Sequence, residues 1–191
     1  MTKDRRDVIA DAALGLIGSE GARALTHRAV DAAAGLPVGS TSYYCRKRSD
    51  LVALALRRHA ELDRRALTSL DERLGNGGGS IADLASDLAR ELGRWIEGQS
   101  RERLAARFEL FLACSRERTH SRAIEEQRAQ FLKILAKRLR ARNVARPASV
   151  AIALIALIEG LLLERVRAGR VVLNPRQLRQ LVSSLINFSS E

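Results

Sequence analysis

A chain of 191 residues with 33 Lys/Arg against 22 Asp/Glu carries a formal charge of +11, and its length suits one compact unit or a small domain joined to a larger one. That charge implies a polyanionic partner, and nucleic acid is a commoner one than an anionic membrane surface for a soluble helical chain. Cys45 and Cys114 have no disulfide or metal-site spacing, and with no signal-peptide pattern they point to a reducing cytoplasm.

From Arg5 to Ile17 the residues Val8, Ile9, Ala12, Ala13, Leu16 and Ile17 recur at helical spacing, with Gly18 and Gly21 expected to end the helix. The stretch Leu25 to Leu51 then predicts two short helices joined by a tight turn and flanked by cations. Thr26 can accept from free N–H groups at a helix start. The alanine-rich run Ala29 to Ala34 permits close helix packing, Gly35 supplies a positive φ, and Pro37 stops the helix. From Gly39 to Tyr44 the side chains are small or polar-tipped: Ser40, Thr41, Ser42, Tyr43 and Tyr44. With Arg46, Lys47 and Arg48 directly after, they suit phosphate oxygens and base edges in a major groove better than a hydrophobic core. Helical hairpins occur without DNA, and here the hydroxyls and the cation triplet decide the reading.

An amphipathic first helix, Thr26, the alanine run closed by Gly35, a Gly-Ser-Thr helix with Tyr44, and Arg48-Ser-Asp-Leu51 follow in the order of a TetR-type repressor's N-terminal domain. Over roughly the first 55 residues the sequence resembles the TetR family; Ser42, Cys45 and Lys47 depart from its pattern. The resemblance implies a three-helix DNA-binding domain, 1–48, followed by a helical domain, 49–191, that binds an effector and dimerises. It implies regulation of transcription, by default repression, with a small molecule moving the long fourth helix and respacing two reading heads. The expected groove contacts are Gly39, Ser40, Thr41 and Tyr43; the expected phosphate contacts are Thr26, Arg28, Tyr44, Lys47 and Arg48.

A long helix is predicted from Asp50 to about Leu74, its acidic first turn matching the helix dipole. Gly75 to Ser80 reads as a flexible break, and Ser80 with Asp83 caps the next helix. Further helices are expected over Arg101 to Glu117, His120 to Asn143, Pro147 to Gly169 and Pro175 to Phe188. Pro147 and Pro175 sit where a first helical residue tolerates proline, and Asn174 with Gln177 repeats the capping pattern. No alternating strand pattern or internal repeat is present, so the fold class is all-α. The segment Val150 to Leu163 is apolar on nearly every face. It is shorter than the roughly 20 apolar residues of a membrane span and holds Glu159, so no membrane is expected. Packing on one side against its own domain and on the other against a second copy, with Leu178, Leu181, Val182, Leu185 and Ile186 of the last helix, makes a homodimer. Two symmetric reading helices then address a palindromic operator in double-stranded DNA, with half-sites one or more turns of about 34–36 Å apart.

For the effector, the middle helices offer Trp95, Arg107, Phe108, Phe111 and Leu112, with Glu159 from the apolar helix. Arg107 and Glu159 are open to three roles: contact with ligand, with each other, or with a neighbouring helix. His27, His59 and His120 have no evident nucleophile partner and no metal-ligand spacing, so neither an enzyme nor a cofactor or metal site is expected. Two alternatives share the composition: a helical small-molecule-binding protein, and a basic nucleic-acid binder without sequence preference.

Overall fold

The chain folds into helices that follow its local capping signals closely. A computed structural model describes residues 4–73, 79–114, 118–170 and 173–187. Among them run α1 (Arg5–Glu20), a short 3-10 turn (Ala22–Ala24), α2 (His27–Ala33), α3 (Ser40–Tyr44), α4 (Arg48–Arg73), α5 (Ile81–Glu97), α6 (Arg101–Cys114), α7 (Arg118–Arg140), α8 (Pro147–Ala168) and α9 (Pro175–Asn187). No strand occurs among the described residues. Residues 75–78 of the glycine run, and the expected helix ends Glu117 and Phe188, lie outside them.

Two compact units result. The first takes residues 1–63 and 100–125, hence α1 to α3, the start of α4, α6 and the start of α7. Its core is built from Ile9, Ala13 and Ile17 of α1, Leu25, Val30, Leu51 and Ala55, closed by Ala106 and Leu110 of α6. Gly18 does not end α1 as expected. It is helical, and α1 runs three residues past Ile17 to Gly21, whose φ of 83° ends it with an N–H bond of 3.0 Å to the Ile17 carbonyl. Gly18 serves packing instead: a Cβ there would stand 2.0 Å from the backbone oxygen of Glu102 in α6. Arg58, nearly buried, clamps α4 to α1 through Asp11 at 2.6 and 3.2 Å, and its own helix through Glu61 at 2.9 Å.

The second unit takes residues 64–99 and 126–191. Leu84, Leu88, Leu92 and Ile96 form the inward stripe of α5, which packs against α9 and α8. Its start is a full capping box, Ser80 and Asp83 exchanging bonds of 3.2 and 2.8 Å. Asn174 and Gln177 do the same before α9, at 2.9 and 3.0 Å, and Pro147 opens α8. At 22 residues, α8 is longer than its apolar segment, and with a mean hydropathy of 1.9 over an 18-residue stretch it has the length and composition of a membrane span, which corrects the expectation that it is too short. Val150, Ala151, Leu154, Ile155, Ile158 and Leu162 are nonetheless buried in the protein. Ile152 and Leu163 of α8 and Leu181 of α9 stay between 40% and 52% exposed.

Candidate nucleic-acid interface

Residues Thr26 to Arg48 form a helix-turn-helix held by interior polar groups. Thr26 opens α2, its hydroxyl accepting the Ala29 N–H at 3.2 Å. Gly35, at φ 63°, turns the chain, and the Leu36 N–H returns to the Asp31 carbonyl at 2.9 Å. Five residues are too few for α3 to be stable alone, and Asp31 supplies what is missing. Its side chain, 1% exposed, accepts the N–H of Gly39 and that of Thr41, each at 2.7 Å. Burial alone would raise the Asp31 carboxyl, yet hydrogen bonds from Thr41 and Gly39 outweigh it and hold the group below its ordinary value. From the other end, His27 Nε2 lies 2.7 Å from the Cys45 carbonyl, to which it donates when that nitrogen carries the proton. Cys45 is buried in the core, and burial pushes its thiol up.

What remains outside is the candidate reading surface. Val38 and Tyr43 are 84% and 83% exposed, more than any other large hydrophobic among the described residues. Ser42 is exposed and Ser40 half-buried. Tyr44 is half-buried against the core, with the Tyr43 ring edge-on to it at 5.1 Å. Gly39 is exposed in a left-handed conformation, φ 94°, so the glycine is required by the backbone there. Arg28, Arg46, Lys47 and Arg48 are exposed, and the Arg48 guanidinium donates to the Ala22 carbonyl, tying α4 to the turn after α1.

Thr41 is the exception among the expected groove residues. Its side chain is wholly buried, so in this structure it supports α3 from beneath, and its hydroxyl cannot reach a base edge. Val38 and Asp31 were missed by sequence reasoning, which looked for hydroxyls and cations, and Ser42, named among the hydroxyls, was left out of the expected contacts although it is exposed. Asp31 was legible as the one charged residue in the alanine-rich run Ala29 to Ala34.

The six effector candidates are divided between the two units. Arg107, Phe108, Phe111 and Leu112 belong to the first unit, Trp95 and Glu159 to the second. Arg107 is nearly buried, donates to Asp63, lies 3.3 Å from His59 Nε2 and stacks over the Phe111 ring at 4.6 Å. Burial lowers the pKa of His59 to about 4, despite Asp63 beside it, so this network holds a neutral imidazole at neutral pH. Phe108 is half-buried, and Leu112 is 66% exposed. Glu159 pairs with Arg128 at 3.2 Å. Each charge thus has a partner on another helix of its own unit, Arg107 on α4 and Glu159 on α7. Trp95 lies 6.2 Å from Phe131, beside a cavity of about 20 Å³ that Leu67, Leu70, Leu92 and Glu91 also line. That space holds about one water.

The model of the tetracyclin repressor-like C-terminal domain matches residues 79–187. No curated protein matches the sequence. Among solved structures, a TetR-family member (SCO1917) from Streptomyces coelicolor A3 is 30% identical, covering 96% of this chain and 98% of its own, with a TM-score of 0.75. The multidrug binding protein EbrR, complexed with imidazole, is 29% identical over 96% of each chain at a TM-score of 0.72, and it is also solved with malachite green. A putative transcriptional regulator (SCO7518) from Streptomyces coelicolor A3(2) is 26% identical, covering 96% of this chain and 99% of its own, with a TM-score of 0.72. The helix-turn-helix seen here, the matched C-terminal domain and these whole-length likenesses agree: the chain belongs to the TetR family of transcriptional regulators.

Proposed function

We propose that the chain is a cytoplasmic, homodimeric repressor that reads a palindromic operator in double-stranded DNA and releases it on binding a small molecule. It acts by binding alone. Residues 1–48 are the reading domain in this scheme, and 49–191 serve effector and dimer. The observation that carries the proposal is the braced α3. Asp31 spends both carboxylate oxygens inside the fold to orient a five-residue helix that leaves Ser42 and Tyr43 exposed, with Val38 exposed just ahead of it. Thr26, Arg28, Tyr44, Lys47 and Arg48 take phosphates around it, and Gly39 and Ser40 sit at its leading end. The uncovered Ile152, Leu163 and Leu181 support self-association through α8 and α9. EbrR's complexes support a small-molecule effector, for which Trp95 and Phe131 offer aromatic walls once their cavity opens. The Arg107 network with Asp63 and His59 braces α4 in this reading. Selection of bound sequences from a random duplex pool is expected to recover an inverted repeat; an asymmetric site or no enrichment would overturn the proposal.

Val38 sharpens it. An aliphatic side chain at the head of a reading helix has no hydrogen bond to offer, and its natural counterpart in the major groove is the thymine C5-methyl. Covering one methyl contributes about 0.8 kcal/mol, so replacing thymine by deoxyuridine at one position per half-site should weaken wild-type binding about fourfold for each half-site. Val38→Ala should bind both duplexes equally. Equal sensitivity of the two proteins at every thymine, read by fluorescence anisotropy, would remove Val38 from the contact set.

A further inference from the structure

The second unit carries an open groove of about 590 Å³ between α5 and the first turn of α9, for which the proposed DNA reading has no use. Its α5 wall repeats at helical spacing through Ala89, Arg90, Gly93 and Arg94, and its α9 wall supplies Arg176 and Arg179. The floor is smooth because Ala89 and Gly93 are small. The rim holds four guanidinium groups against a single lining carboxylate, Glu97. Arg90 and Arg94 lean on Asp87 and Glu91 of their own helix, whereas Arg176 and Arg179 have no acceptor among the described residues. Pro175 also lines the groove, so the positive end of the α9 dipole adds to the cationic field.

Arg90 and Arg94 are thus partly neutralised, and the unmet positive charge of the groove is that of Arg176 and Arg179. Guanidinium forks match the oxygens of a phosphate group in pairs. The apolar floor calls for a body that avoids water, and the volume lies within the range of small-ligand sites, about 300–1,000 Å³. We propose that this groove binds a small organic phosphate, the guanidiniums of Arg176 and Arg179, with Arg90 and Arg94, taking the phosphate oxygens while the apolar body rests on Ala89 and Gly93. Simple inorganic phosphate leaves the floor wet, and a neutral aromatic leaves the guanidiniums unpaired, so each half alone binds poorly.

Calorimetry on the full-length protein with 1-naphthyl phosphate, inorganic phosphate and 1-naphthol tests this directly. The ester is expected to bind at least tenfold more tightly than either half. Arg176→Ala with Arg179→Ala, both exposed and free of internal bonds, should weaken the ester at least tenfold while leaving the thermal midpoint unchanged. Ester binding no tighter than that of phosphate, or undiminished in the double variant, would overturn the assignment. So would an outcome in which the double variant loses affinity for duplex DNA at large and no ester binds, since the arginines would then serve nucleic acid. None of these readouts depends on operator recognition, so failure of the repressor reading would leave this result standing, and the converse holds too.

Discussion

Gly18→Ala is expected to destabilise the protein by about 3 kcal/mol or more, lowering its thermal midpoint by roughly 6–12 °C for a chain of this size. The added methyl would fall 2.0 Å from the Glu102 backbone oxygen and 2.6 Å from its carbonyl carbon. Backbone atoms cannot rotate out of the way as a side-chain tip can, so α1 and α6 must part and open the core around Ile9, Ile17 and Leu110. Gly15 is the control within the same helix. Nothing lies within 4 Å of a Cβ built there, so Gly15→Ala should stabilise α1 by about 0.5–1 kcal/mol through propensity alone. Circular-dichroism melts of the two variants should therefore move in opposite directions. A Gly18→Ala midpoint within 2 °C of wild type would show that the helices do not approach this closely.

Asp31→Ala is expected to cost about 3 kcal/mol and to lower specific operator affinity about a hundredfold. Two N–H groups, of Gly39 and Thr41, lose charged acceptors in the interior, and each orphaned donor costs about 1–3 kcal/mol. Asn cannot rescue them fully, because one carboxylate oxygen becomes an NH₂ group that meets a donor with a donor. The loss should concentrate in sequence-specific binding, since the surrounding cations still attract any duplex. The pH dependence has a definite sign. The carboxyl is held below its ordinary value in the folded state, so its stabilisation is complete above the unfolded value of about 3.9. It fades as pH falls through the lower folded value. Urea titrations should therefore show a constant gap between wild type and Asp31→Asn from pH 5 to 7, narrowing only below about pH 4. A gap that closes already at pH 6 would mean that another group holds α3.

The helix starts were readable because capping is local chemistry: Thr26, Ser80 with Asp83, Asn174 with Gln177, and the two prolines act within four residues of themselves. The same locality explains the misreadings. Gly18 resembles a terminator until α6, more than eighty residues on, is found against it. Thr41 is one hydroxyl among several in a helix too short to show a period, and only its burial tells it from Ser42. Arg107 and Glu159 were readable as charges needing partners. Their partners, Asp63 and Arg128, lie on other helices, at separations that no spacing rule reports. The aromatic residues of α5 and α6 share composition, yet they fall in different units.

The division of labour around α3 bears on how such a regulator could change its target. Asp31, His27 and the buried Thr41 hold the element in place, while Val38, Ser42 and Tyr43 are exposed. Exchanging the outward set alters chemistry toward the double helix without touching the scaffold. If the proposed reading holds, single substitutions there would shift operator preference and leave folding intact, and libraries randomised at those three positions should yield folded proteins with redirected tastes.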